Sequence, residues 1–205
     1  MLDNFNRTTA ATLGTNWSQT GGATGAIQVL DLTSGNTGTG VAFCKNTPTN
    51  PCLLGGSAYW NATTFGANQA ASYLFDNTLT PALLPGYSLI LKATGGTATA
   101  PTSFIRVSYS PAGGGTITVA TTTNGLTFTT AGTFTGTTFA TNDTMGAMVN
   151  ATGLVTVWKT SGGVTTVPGS VQLPSVAAWT TGGGRIGIRL SPGDEVDNFA
   201  GGNVI

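Results

Sequence analysis

The chain has 205 residues and a formal net charge of zero, from 7 Lys and Arg against 7 Asp and Glu, with no His. Its scattered cations (Arg7, Lys45, Lys92, Arg106, Lys159, Arg185 and Arg189) are too few to displace the counterions of a nucleic acid or to hold an anionic membrane surface, and no apolar run approaches the ~18 residues of a membrane span. The missing His removes the usual base of a Ser or Cys nucleophile, and two cysteines alone make no zinc site.

Charged residues are 7% of the chain against a usual ~25%, and Thr, Ser, Asn and Gly fill the polar quota. Thr is β-branched and suits strands, while 31 Gly and 9 Pro argue against long helices. The length suits one domain, 1–205, that buries roughly 70% of its unfolded surface.

Met1 leads within two residues into a strand-like run. No signal-peptide pattern stands ahead of that run, which leaves two routes open: export by another path, or a removed leader with a start Met added. Further strand-like runs follow at 25–32 and 40–43. Next comes CKNTPTNPC, in which Cys44 and Cys52 flank a turn-rich loop with Pro48 and Pro51. A disulfide there would close a nine-residue loop and contribute about 2–3 kcal/mol in an oxidising compartment; the alternative is a pair of reduced thiols.

Strand-like runs continue at 58–61, 70–75, 87–92, 104–109, 116–120, 126–129, 144–149, 154–159 and 184–190. Alternation with period two is clearest in three. In SFIRVSYS, Ile105, Val107 and Tyr109 share one face and Arg106 and Ser108 the other. In GLVTVWK, Val155 and Val157 share a face with Lys159, and Leu154 with Trp158. In GRIGIRL, Ile186, Ile188 and Leu190 oppose Arg185 and Arg189. Turn signals (SGN, AGGGT, TNG, SGG, SPGD) separate the runs, and the longest irregular stretch is about 168–183. The pattern predicts an all-β fold: an antiparallel two-sheet sandwich around one core.

The tripeptide Asp-Asn-Phe occurs at both ends, at 3–5 and 197–199. With terminal strands adjacent, Phe5 and Phe199 would enter the core and Asp3 and Asp197 would share their faces by period two. Two carboxylates so close need a cation between them, either a metal or one of Arg7, Arg185 and Arg189.

Four segments, DNFNRTTAATLGTNW, SAYWNATTFGANQAASYLF, NDTMGAMVNATGLVTVWK and GGGRIGIRLSPGDEVDNFAGG, occur in the order of similar segments in concanavalin A-like (laminin G-like) jelly-roll domains. Together they run from Asp3 to Gly202. The resemblance implies a jelly-roll sandwich of a kind found in bacterial secreted proteins and bacteriophage virion proteins. The CKNTPTNPC loop, 97–102 and 121–138 look like additions to that pattern, placed where partner-specific contacts are usually made.

What the resemblance implies about sites follows from there. Such sandwiches carry structural Ca²⁺ near the joined termini, which makes Asp3 and Asp197 candidate ligands, with Asp194 and Glu195 behind them. Sugar recognition in such folds uses aromatic faces, and Trp60, Tyr87, Tyr109 and Trp158 are the candidates; the alternative for each is a place in the core. Glycosidases of this fold set paired carboxylates about 5–5.5 Å apart on one strand for retention. Here the one Glu, Glu195, lies with Asp194 and Asp197 in GDEVD, after a Pro-Gly turn. No enzyme is expected. The function implied is a non-enzymatic bacteriophage virion protein, a head decoration or a tail or fibre component, with capacity for glycan. Its partners would be capsid or tail proteins, copies of itself and surface polysaccharide. The alternative is a secreted bacterial carbohydrate-binding or adhesive module.

Overall fold

The computed structural model describes residues 1–20, 27–32, 39–44, 52, 55–76 and 86–205. Through these run β1 (Trp17–Gln19), β2 (Gln28–Asp31), β3 (Gly40–Phe43), β4 (Gly56–Trp60), β5 (Gln69–Phe75), β6 (Ser88–Thr94), β7 (Ser103–Ser110), β8 (Thr116–Thr122), β9 (Thr129–Thr135), β10 (Thr144–Val149), β11 (Leu154–Ser161), β12 (Val164–Gln172), β13 (Arg185–Leu190) and β14 (Glu195–Asn203). They form two seven-stranded sheets, ordered β1-β4-β13-β6-β7-β8-β9 and β12-β11-β10-β5-β14-β3-β2. The pairings within both sheets are antiparallel.

Strand alternation supplies the core. Ile105, Val107 and Tyr109 of β7 and Ile186, Ile188 and Leu190 of β13 point inward from the first sheet. Ala71, Tyr73 and Phe75 of β5 and Val155 and Val157 of β11 meet them from the second. The sequence pattern misses β1 and β12 and meets β9 only at Thr129. β9 and β12 are edge strands with largely exposed side chains, so neither carries a periodic apolar signal. Pro168 is tolerated in β12 because an edge strand can lack an N–H. The run expected at 126–129 is instead a turn held by Asn124, whose Oδ1 accepts the Leu126 and Thr127 amides at 2.9 and 2.8 Å. Of the run expected at 25–32, residues 25 and 26 lie outside the described residues.

Cys44 and Cys52, both fully buried, are joined by a disulfide with a Cα separation of 5.6 Å. The Cys44 amide donates to the Asp194 carbonyl and the Cys44 carbonyl accepts the Gly193 amide (3.1 and 2.7 Å), so the bridge braces the turn between β13 and β14. Residues 45–51 of the intervening loop lie outside the described residues.

The two chain ends lie together. The Leu2 and Asp3 amides donate to the Phe199 carbonyl at 2.9 and 3.1 Å, and Phe5 and Phe199 are fully buried. The N-terminal run is one bridge pairing, Asp3 with Phe199, because Phe5 turns the backbone at φ 51°. In β14 a bulge between Asp197 and Ala200, with Asn198 at φ 52°, interrupts the alternation. Asp197 therefore stays half-buried while Phe199 fills the core.

Asp3 clasps this junction. Its Oδ1 accepts the Phe5 amide and Arg7 Nη1, both at 2.8 Å. Its Oδ2 accepts Arg7 Nη2 at 3.1 Å and Trp17 Nε1 at 2.8 Å. The Trp17 ring packs on Phe199, Trp60 and Phe5 with centroids 5.0, 5.4 and 6.1 Å apart. Asp3→Ala is expected to destabilise the fold by about 2–3 kcal/mol, because it leaves the buried indole N–H without its acceptor and the Arg7 guanidinium with only the Leu13 carbonyl. Urea unfolding reads this as a lower midpoint at unchanged slope. Arg7→Ala, which keeps the Trp17 bond, should cost less.

Candidate functional site

Period two and strand register together build the outer face of the first sheet. One row runs Tyr59, Gly187, Ile90, Arg106 and Ala120 across β4, β13, β6, β7 and β8. The next runs Ser57, Arg189, Ser88, Ser108 and Thr118. Tyr59, Ile90, Ala93 and Phe104 form a second buried apolar cluster on this face, and Phe128 packs against it.

Two loops wall this floor into a cleft of ≈ 460 Å³. Thr99–Thr102 belong to the β6–β7 loop and Asn124–Phe128 to the segment between β8 and β9; Ser57, Tyr59, Arg106 and Arg189 line the sheet side. Both loops fall within the expanded segments that the sequence marks at 97–102 and 121–138. Asn124 organises the second wall, and Leu126 stands on it 85% exposed. Arg185 braces the first, donating from Nη1 to the Ala98 carbonyl at 2.6 Å. Gly55, at φ 85°, leaves room for the Arg189 head: a Cβ there would come within 2.9 Å of Nη2.

The cations are partitioned. Arg7 pairs with Asp3, and Lys159 with Asp143 at 2.7 Å. Lys92 is buried, and its Nζ donates to the Trp179 and Thr180 carbonyls at 3.0 and 2.7 Å. Lys45 lies outside the described residues. The other three, Arg106, Arg185 and Arg189, all belong to the outer face of the first sheet. Arg106 lies over the Phe128 ring at 3.7 Å, and its buried Nε has no hydrogen-bond partner. Burial, then the neighbouring Arg189 charge, pull the Arg106 pKa down from its ordinary value. Among the described residues no carboxylate lines this cleft.

The residues singled out from the sequence sit elsewhere. Tyr87 and Tyr109 are each 1% exposed. The Tyr87 hydroxyl is hydrogen-bonded to Asp194, and the Tyr109 hydroxyl accepts the Phe139 amide at 3.2 Å. Trp60 packs edge-on to Trp17 inside the sandwich. None of these three rings turns a face to solvent. Trp158 is half-buried on the opposite sheet, lying across Gly146, where any side chain would collide with it. Tyr59, Phe104 and Phe128, which do line the cleft, were not singled out. Tyr59 differs from Trp60 by one residue, and only the pairing of β4 with β13 decides which of them faces outward.

The Asp3–Asp197 pair is a poor fit for Ca²⁺. Asp3 already accepts four N–H donors, the Arg7 guanidinium supplying the cation, while Asp197 accepts both the backbone and side-chain N–H of Asn198. Among the described residues no three His, Cys, Asp or Glu side chains converge as a ligand set. Nor is any described helix long and apolar enough to cross a membrane.

No protein-family model matches the chain, and no curated protein matches it in sequence. Solved structures do match its fold. Lectin II from Ulex europaeus superimposes with a TM-score of 0.57 at 12% identity, over 95% of this chain and 97% of that one. The exoplasmic/lumenal domain of VIP36, in its Ca²⁺/Man3GlcNAc-bound form, gives 0.58 at 13%, over 93% and 84%. Metal-free lectin I-B4 from Griffonia simplicifolia gives 0.56 at 10%, over 97% and 99%. The fold is the concanavalin A-like jelly roll.

The acids near the joined ends predict a pH dependence of stability. Burial raises Asp194 to about 7, against the Ser191 and Tyr87 hydrogen bonds that oppose it. Burial, with Asp76 and Asp3 nearby, raises Asp197 to about 6. Folded carboxyls with raised pKa hold their protons longer than unfolded ones, so their stabilisation is full below ~4 and is lost as pH rises through the folded values. Asp143 runs the other way: hydrogen bonds from Lys159, Ser161 and Ala140 outweigh its burial and hold it low, so its contribution fades below ~4. Thermal unfolding is expected to show a maximum near pH 4–5 and a loss on the order of 2 kcal/mol by pH 8. Asp194→Asn should flatten that decline.

Proposed function

We propose that this jelly roll is a non-enzymatic carbohydrate-binding protein that takes a glycan in the cleft on the outer face of its first sheet. The observation that carries the reading is the cleft itself: an apolar floor of Tyr59, Phe104 and Phe128, walls from two organised loops, and a few convergent polar groups. Its ≈ 460 Å³ falls in the ~300–1,000 Å³ range of small-molecule sites. The fold neighbours add support, since they include a VIP36 domain bound to Man3GlcNAc and lectin UEA-II complexed with galactose. Glycoside hydrolysis needs an acid and a second carboxylate flanking the scissile bond, and the described cleft lining offers neither.

The setting we propose is extracellular: a virion surface, as head decoration or tail component, or else a secreted bacterial module. The buried Cys44–Cys52 disulfide suits an oxidising compartment. Mass spectrometry separates the two settings, by finding the chain either in purified particles or free in the particle-depleted culture medium.

The cleft reading is tested on a panel of immobilised polysaccharides. Phe128→Ala should weaken binding about fivefold or more with little loss of melting temperature, since Phe128 is only partly buried. Unchanged binding would remove the cleft from the reading, and a loss caused by Trp158→Ala instead would move the site to the other sheet.

A further inference from the structure

Resting on the carbohydrate reading, we propose that the glycan taken by this cleft is an anionic one, its carboxylate or sulfate oxygens paired with Arg106 and Arg189. The argument is one of charge placement. The chain has only seven cations, and two of them line a single cleft with no carboxylate among its described lining residues. All seven acids of the chain are among the described residues, and none is in that lining.

Arg106 gives the chemistry its focus. The guanidinium lies 3.7 Å over the Phe128 ring, which fixes its plane and leaves its N–H edges for another group. No hydrogen bond or ion pair links it to a described side chain or carbonyl, and its Nε is buried without a partner. A buried guanidinium N–H left unmade costs free energy that an incoming oxyanion would return. Arg189 approaches from β13, two strand spacings or about 10 Å away across the sheet, and its charge is felt at Arg106. Two like charges in a cleft whose described lining holds no carboxylate favour a ligand that brings a counter-charge. Arg185 is spent differently, on the Ala98 carbonyl, where it holds the loop wall in place.

A sugar acid suits the remaining surface. Phe128, partly exposed over the buried Tyr59 and Phe104, can take the C–H face of a pyranose while the guanidinium takes its oxyanion. A phosphodiester chain fits less well, because nucleic-acid affinity is built from a track of many phosphate contacts, and this face offers three arginines.

Affinity electrophoresis or biolayer interferometry on the full chain distinguishes the outcomes. The probes are neutral dextran and mannan, polygalacturonate, dextran sulfate and a single-stranded oligonucleotide. Polygalacturonate or dextran sulfate should bind about 10-fold or more tighter than the neutral glycans and weaken with salt, and whichever of the two wins assigns the oxyanion. Arg106→Gln should remove that preference, by about 10-fold or more, with the thermal transition intact. Equal binding of neutral and anionic glycans, or an Arg106→Gln variant that keeps the preference, overturns the inference and leaves the carbohydrate reading standing. Binding to no glycan overturns both. Tighter binding to the oligonucleotide than to either anionic glycan also overturns the inference.

Discussion

One carboxylate, Asp3, holds the first residues of the chain against both sheets. It reaches the first sheet through the indole N–H of Trp17 and lies beside the second through the bridge to Phe199. Trp17 in turn touches Phe5, Phe199 and Trp60, so the hydrogen bond is shielded by aromatic surface. Such a bond is strong because one partner is charged and water is kept away. The closure reaches the cleft through the chain itself. β14 follows β13 after a short turn, which the Cys44–Cys52 region braces through Gly193 and Asp194. β13 lies near the middle of the first sheet and carries Arg185 and Arg189. Fixing the C-terminal strand therefore fixes the arginine face.

The same residue composition explains both a quiet surface and a pointed site. A chain with 7% charged residues has little background field, so each ungrouped charge matters to a partner. The acids near the chain ends are absorbed into closure: Asp3 by Arg7 and Trp17, Asp194 by Ser191 and Tyr87, Asp197 by Asn198. The outer face of the first sheet carries Arg106, Arg185 and Arg189, and among the described residues no carboxylate lines the cleft there. In the proposed function the fold supplies the platform and the two loops supply the walls, as expected where a scaffold is reused and its loops vary.

Much of this was legible in the residues. Alternation in SFIRVSYS and GRIGIRL separates Arg106, Arg185 and Arg189 from the core side chains, and the repeated Asp-Asn-Phe announces that the ends meet. Tyr109 could have been assigned to the core on the same ground, since it shares the face of Ile105 and Val107. What the residues could not reveal was register. Nothing in SAYWN says whether Tyr59 or Trp60 faces out; the pairing of Tyr59 with Gly187 decides it. The bulge at Asn198 and the positive φ at Phe5 are likewise set by tertiary contacts, so the period-two placement of Asp197 did not survive. The edge strands β9 and β12 lack an apolar rhythm because little of either is buried.

The most direct test of the account is a crystal structure of the chain soaked with an oligogalacturonate. The account predicts the sugar in the cleft between the β6–β7 and β8–β9 loops, its carboxylate about 3 Å from the Arg106 guanidinium and its ring over the Tyr59–Phe128 floor. An oligosaccharide seated over Trp158 on the other sheet, or lying in the cleft with its carboxylates turned away from Arg106 and Arg189, would contradict it.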